Sequence, residues 1–391
     1  MSKEKIYIFD TTLRDGSQAP SCGLHLYEKV KIAKDLDKLG VNIIEAGFPI
    51  SSDLEFNSVK SIAKLFSKNG PVVCGFSRLT KKDIDCCWAS VKYAKKRRIH
   101  LGIATSDQHL NRKLFLTKKE VLNKIDKQIK YARKFNWEIQ FYAEDASRTE
   151  LSFLKKAFST AYKSGARNFL IADTVGTNDP IDYGIIIKKL NNYFYDKKNI
   201  KLSTHCHDDL GLAVANTLSG ISSGATEVQG TILGIGERCG NASLEEIILN
   251  LNENNKYKNK FSHSIRSKKI YQTCLNVSNL MNIDIPLNKS LIGKNSFATE
   301  AGIHVDGSIK NSKNYLAFNP TKYLREEEYI LGARSGKATL QYKLNQTKLK
   351  IKNKDDFNNF FIFIKKISDK KLKERGISND ELVDLHKKFF R

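Results

Sequence analysis

Two histidines one residue apart, followed at once by two acids, occupy the segment Ser203-Thr204-His205-Cys206-His207-Asp208-Asp209. The residues leading into it are strand-formers, so the segment is expected to close a β-strand, in which alternate side chains share a face. His205 and His207 then point the same way, about 7 Å apart along the strand. Two imidazoles on one face beside carboxylates suit a divalent cation. Cys206, between them, points to the opposite face and reads as packing. Far upstream, Phe9-Asp10-Thr11-Thr12-Leu13-Arg14-Asp15-Gly16 closes another short strand. It offers Asp15 as a hard oxygen ligand with the permanent cation of Arg14 beside it. A strand-end histidine or an Asp-Gly turn is ordinary when taken alone. The chemistry follows only if a fold brings the two places together.

The elements that could do so recur regularly. Short β-rich runs cover residues 7–10, 42–47, 72–76, 99–105, 138–144, 168–173, 202–207 and 227–233. Between them run Lys-rich stretches of helical spacing, such as residues 28–39, with Val30, Ile32, Ala33, Leu36 and Leu39 on one side. Strand alternating with helix eight times predicts an α/β fold, a parallel (β/α)8 TIM barrel ending near residue 260. Asp15, Glu45, Glu144, Asp173 and His207 all fall at or just after strand ends. The C-terminal rim of such a barrel carries its chemistry, so the fold unites Asp15 with His205 and His207. The expected division is a catalytic barrel at 1–262, a linker subdomain at 263–340 and a small, mainly helical C-terminal subdomain at 341–391. In the last, residues 355–390 read as two charged amphipathic helices around Gly376, a solvated helical tail.

Composition narrows the class. With 391 residues and 40% hydrophobic content the chain can bury a real core, which excludes disorder. No run of 18 apolar residues occurs, so no membrane span is expected. Met-Ser-Lys-Glu-Lys leads straight into the first strand, leaving no room for a signal peptide, and a cytoplasmic location is expected. Seven cysteines without a Cys-x-x-Cys pair argue against a disulfide framework and a structural zinc site. The formal charge of +24 is spread along the whole chain, with no basic tail and no nucleic-acid motif. It reads as a general Lys/Asn/Ile bias, without a nucleic-acid partner, whose field still attracts anionic substrates.

Four motifs carry a resemblance. FDTTLRDGSQ on the first strand, STHCHDDLGLAVANT on the seventh, GIGERCGNASLEE after the eighth and GKNSFATEAGIHVDG beyond the barrel occur in that order between about residues 5 and 340. Together they resemble the Claisen-condensing DRE-TIM metallolyases, whose members are the 2-isopropylmalate, homocitrate and citramalate synthases. EAGFPISS, VVCGFSRLTKKDID, RIHLGIATSD and AEDASRT are most similar to the isopropylmalate branch. The resemblance implies an acyltransferase. Acetyl-CoA loses a methyl proton, its enolate attacks a 2-oxo acid, and thioester hydrolysis frees CoA. The implied acceptor is 3-methyl-2-oxobutanoate, at the entry to leucine synthesis, and the alternative is 2-oxoglutarate.

By the same resemblance Asp15, His205, His207 and Asn241 hold Mg²⁺ or Mn²⁺, with Zn²⁺ as an alternative, and acceptor oxygens complete an octahedron. Arg14, Glu144 and His304 are the implied catalytic residues. Arg14, Gln18, His100, Glu144 and Thr174 are the implied acceptor contacts, and Gly234, Gly236 and Glu237 the acetyl-CoA segment. His304 falls in the linker segment that reaches over the partner's active site in a homodimer, where it would activate water.

Three departures stand out. Thr299 replaces a frequent His, which throws more weight on His304. Ala172-Asp173-Thr174-Val175-Gly176, His304-Val305-Asp306-Gly307 and Phe318-Asn319-Pro320 lean towards homocitrate synthases. No additional inward-facing cation is legible on strands two to six, which favours a branched aliphatic acceptor. Finally, no C-terminal leucine-binding regulatory domain is expected, and so little leucine inhibition at such a site.

Overall fold

The computed structural model describes residues 3–197 and 199–391. They form two compact units that divide between Asp284 and Ile285. In the first, eight parallel strands close into a barrel: β1 (Tyr7–Asp10), β2 (Ile43–Gly47), β3 (Val72–Arg78), β4 (Arg97–Ala104), β5 (Glu138–Glu144), β6 (Asn168–Asp173), β7 (Lys201–Cys206) and β8 (Glu227–Gly230). Each pairs with its sequence neighbour, and β1 pairs with β8 to complete the ring. Every residue of β2 and β6 is buried, as befits a parallel sheet covered on both faces.

The covering helices are α1 (Leu26–Leu39), α2 (Asp53–Leu65), α3 (Lys81–Val91), α4 (Lys118–Ala132), α5 (Leu151–Ser164), α6 (Pro180–Tyr193), α7 (Ala213–Ser222) and α8 (Leu244–Glu253). Local chemistry sets their starts. Ser52 and Thr80 cap α2 and α3, Thr117 and Glu120 form a capping box on α4, and Asp179 caps α6 with Pro180 in its first turn. Gly40 ends α1 at φ 95°, a left-handed position that costs a residue with Cβ more than glycine. Helix α1 buries Ile32, Ala33, Leu36 and Leu39. It also buries Lys29, whose ammonium reaches Glu55 and the Leu13 carbonyl.

Several strand ends shift from the expected ranges, and two of the shifts bear on the site. β7 stops at Cys206, and His207 forms a single antiparallel bridge with Asn241. β8 stops at Gly230, because Leu233 takes a left-handed φ of 62° within a short 3-10 turn. The Cys206 side chain is buried and bonds to Tyr183 and Thr217 on the helical layer, away from the histidines. No disulfide joins any of the seven cysteines. After the barrel, α9 (Ser267–Met281) packs along α1, where Asn276 donates to Asp35 at 2.8 Å.

The second unit contains α10 (Gly302–Lys310), a two-residue parallel pairing of Ala298–Thr299 with Glu328–Tyr329, α11 (Lys337–Thr347), α12 (Lys354–Ser368) and α13 (Asn379–Phe390). Leu331, Leu340, Leu344, Phe360, Ile364, Ile377 and Leu382 make one buried core. The last two helices are therefore not a solvated tail. The Phe360 ring, fully buried, lies 5.2 Å from that of Phe389 and 5.5 Å from that of Phe390. Among the described residues no helix is long and apolar enough to cross a membrane.

Candidate metal centre and active site

Asp15 leaves β1 in a tight turn in which its N–H and that of Arg14 both bond to the Thr11 carbonyl, at 2.8 and 3.1 Å. Strand alternation turns His205 inward, and the bridge to Asn241 keeps His207 beside it just past the end of β7. There His205 Nε2 lies 3.3 Å from His207 Nε2 and 3.4 Å from Asp15 Oδ2. One ligand atom from each of the three residues falls within 4.8 Å of the others, and all three residues are buried. His207 Nδ1 donates to the Gly240 carbonyl at 3.2 Å, which leaves Nε2 facing the cluster with a lone pair. Asn241, the bridge partner of His207, gives its amide N–H to the Ile235 carbonyl at 3.2 Å.

The residues present fit a divalent cation. Asp15 Oδ2 and Asn241 Oδ1 are buried without a hydrogen-bond partner among the described residues. Each such group costs about 1–3 kcal/mol if nothing else binds it. Hard oxygens with imidazole nitrogens are a donor set for Mg²⁺, Mn²⁺ or Zn²⁺. Protonation agrees with this. Burial pushes the His205 imidazole down to about 3, against the pull of Asp15, and holds His207 below its usual value too. Burial opposes ionisation of Asp15, but Arg14, then His205 and His207, bring its carboxyl below the ordinary range. Neutral imidazoles and a carboxylate are the ligand forms.

Beside the cluster stands a clamp whose centre the sequence reading noted only as a strand-end acid. Glu45 is fully buried in β2. Its Oε2 accepts from Arg14 Nε at 2.6 Å, and its Oε1 lies 2.6 Å from His100 Nδ1. Arg14 also pairs with Asp15 at 3.2 Å, reaches Gln18 Oε1 at 3.5 Å, and lays its guanidinium 4.6 Å over Phe76. One acid in an otherwise apolar, fully buried strand was the available signal. The rings of Phe9, Phe76 and Tyr142 surround His100, and its Nε2 is buried and unpartnered among the described residues.

The remaining expected residues lie in other settings. Glu144 ends β5, half-buried, with Lys113 at 2.6 Å and His109 at 3.3 Å from its Oε1. Both partners come from the short helical segment 107–114 after β4 and were missed in the sequence. Thr174 Oγ1 accepts from the Asp145 N–H, and its carbonyl accepts from Arg238, which is paired with Asp209 at 2.8 Å. The Gly234–Gly240 turn moulds itself around Asn241: a Cβ at Gly236 would collide with the Asn241 amide. Glu237 is exposed on that turn. His304 is exposed on α10 of the second unit, its ring 4.6 Å from that of Tyr315.

Comparison with known proteins gives concordant results. The HMGL-like family model matches residues 5–283, and the homocitrate synthase post-HMGL domain-like model matches residues 291–372. A 2-isopropylmalate synthase of Parabacteroides distasonis is 42% identical over 343 residues, 88% of this chain and 68% of that protein. One from a Geobacillus species is 42% identical over 382 residues, 97% of this chain and 73% of that protein. The crystal structure of hydroxymethylglutaryl-CoA lyase from Pseudomonas aeruginosa superposes with a TM-score of 0.62 at 16% identity. It covers 72% of this chain and 95% of its own, a likeness of fold.

Proposed function

The chain belongs to the HMGL-like family, and within it to that of the 2-isopropylmalate synthases, and on that premise we propose how its barrel rim works. The enzyme is an acyltransferase that condenses acetyl-CoA with 3-methyl-2-oxobutanoate and releases 2-isopropylmalate and CoA, the first step of leucine synthesis. The convergence of Asp15, His205 and His207 within 4.8 Å, with Arg14 beside them, carries this reading.

Asp15, His205, His207 and Asn241 would hold the divalent cation, Mg²⁺ or Mn²⁺ by the hard donors, with Zn²⁺ the alternative. When bound, the cation supplies Lewis acidity towards the acceptor's keto group. Arg14, fixed by Glu45, Asp15 and Gln18, places a permanent positive charge where enolate and alkoxide charge develops. Because its partners hold it before substrate arrives, little reorganisation is needed at the moment of reaction. His100, oriented by Glu45, keeps Nε2 for the substrate. Thr174 Oγ1 already accepts one hydrogen bond, so its proton is available to an acceptor carboxylate. Glu144, steadied by Lys113 and His109, is the acidic group at the rim.

The Gly234, Gly236 and Glu237 turn beside Asn241 is the acetyl-CoA segment in this reading. His304 serves thioester hydrolysis as the base that activates water, in a homodimer. The aromatic surroundings of His100 support a branched aliphatic acceptor. Contrary to the sequence expectation, β4 does carry a buried inward-facing cation, Arg98, but it sits at the opposite end of the barrel and is engaged by Glu138 and Glu227.

CoA release, followed by thiol titration with Mg²⁺ or Mn²⁺ and a panel of 2-oxo acids, tests the reading. Preference for 3-methyl-2-oxobutanoate is expected. Preference for 2-oxoglutarate would transfer the assignment to a homocitrate synthase. Silence with every acceptor in the presence of metal would refute the synthase altogether.

A further inference from the structure

The two candidate imidazole ligands are supported unequally. His207 has its second nitrogen held by the Gly240 carbonyl, whereas His205 Nδ1 is buried with no partner among the described residues. A histidine that binds a metal through one nitrogen needs the other fixed by an acceptor, which sets tautomer and ring orientation. The neighbouring strand carries a side chain in the complementary condition. Gln229, 0% exposed on β8, has both its amide oxygen and its amide nitrogen unpartnered among the described residues. The observation therefore holds whichever way the amide is turned.

Register brings these two side chains level. β7 and β8 pair Ser203 with Glu227 and Thr204 with Val228. Ser203 and Glu227 share the inner face, since Ser203 Oγ donates to Glu227 Oε1 at 2.6 Å. Two residues on, strand alternation puts His205 and Gln229 on that same inner face, on adjacent strands about 4.8 Å apart. Gln140, which donates to Ser203 and Glu227 at 2.9 and 2.7 Å, has its own Oε1 buried and unpartnered among the described residues. Beside the His205 donor this face thus offers two amide oxygens without partners among the described residues, the complement of a trapped water, since such waters make about three hydrogen bonds.

We propose that Gln229 is a positioning residue for the metal centre, holding His205 through one trapped water. The His205 Nδ1–H donates to this water, which donates in turn to the Gln229 and Gln140 amide oxygens. His205 is thereby kept in the tautomer whose Nε2 lone pair faces Asp15 and His207. Gln229 touches neither substrate nor metal; it acts through His205. The proposal rests on the reading of Asp15, His205 and His207 as metal ligands.

The test is Mn²⁺ titration of the substrate-free protein, followed by the electron-spin-resonance signal of free Mn²⁺, for wild type, Gln229→Leu and Gln229→Glu. Leucine keeps the volume and removes the acceptor, and should weaken Mn²⁺ binding by about tenfold or more. Glutamate keeps the acceptor and should remain within about threefold of wild type or bind tighter. Equal binding by wild type and Gln229→Leu would overturn the role of Gln229, as would equal losses in both variants. Absence of Mn²⁺ binding by the wild type would instead remove the metal-site reading, and this proposal with it. Nitrogen-15 spectra of histidine-labelled wild type, free of metal, decide the matter even if a variant does not fold. His205 protonated on Nδ1 supports the proposal, and protonation on Nε2 overturns it.

Discussion

The floor and the rim of the barrel are both polar and both buried, yet they are finished differently. At the floor, Arg98, 2% exposed, donates to Glu227 at 2.7 Å and to Glu138 at 2.8 Å. Glu227 also receives Ser203 and Gln140, so the buried charge is paired and hydrogen-bonded on both sides. At the rim, Asp15 Oδ2, His100 Nε2 and Asn241 Oδ1 have no hydrogen-bond partner among the described residues. A satisfied network closes a structure. An incomplete one, just as deeply buried, is held ready for something that the chain itself does not supply. Residues paired within the barrel floor thus differ from residues left open at the rim, though both kinds are polar and buried.

Substitutions at the two ends should break in opposite ways. The largest effect belongs to His205→Ala or His207→Ala: CoA release should fall to the blank, while thermal unfolding changes little for His205→Ala, whose Nδ1 makes no direct bond to the chain, and drops by only about 1 kcal/mol for His207→Ala, which loses one hydrogen bond to Gly240. A clear loss of stability would make the histidines structural. Next, Arg98→Met at the floor should cost about 3–5 kcal/mol of unfolding free energy, since it strands the Glu227 carboxylate without its partner. Denaturant unfolding measures this, and turnover per folded molecule should change little. Third, Arg14→Lys keeps the charge but loses the fork that spans Glu45 and Asp15. Turnover should drop by about 10²-fold with a smaller change in KM, on the scale of losing one preorganised donor; an effect on KM alone would make Arg14 a binding group only.

The smallest effect is at Asp10, which is fully buried at the end of β1. Burial, with Glu45 and Glu245 adding to it, pushes its carboxyl up to about 7 against two hydrogen bonds from Thr12. Its folded value exceeds its unfolded value. Its contribution is therefore complete below the unfolded value near 4 and is lost as pH rises through about 7. Asp10→Asn removes that decline. The melting temperature of the variant relative to wild type should thus rise between about pH 5 and about pH 8. An identical difference at both values would mean that Asp10 ionises in the folded protein much as it does in the unfolded chain.

Much of this was legible in the chain alone. Eight strands alternating with helices required a barrel, because parallel strands need crossovers and the helices had one apolar face each. Parity put His205 and His207 on one face, and chain position put Asp15 after the first strand. Glu45 was visible as a charged strand end, but its grip on Arg14 and His100 was not. That contact joins positions 31 and 55 residues apart and depends on barrel closure. The C-terminal helices misled because their lysines stood out, while Phe360 and Ile364 bury only against residues as distant as Leu331 and Leu340.

What the sequence determined by itself was therefore periodicity and donor chemistry: which side chains share a strand face or a helix face, and which can bind a cation. These are local properties, set by backbone geometry within a few residues. Only the tertiary structure decided which buried polar groups complete one another. The pairing of Arg98 with Glu227 spans 129 positions, and the level placement of His205 beside Gln229 comes from the register of two strands. Hydrogen bonds reach about 3 Å, and that proximity exists only once the ring of strands has closed.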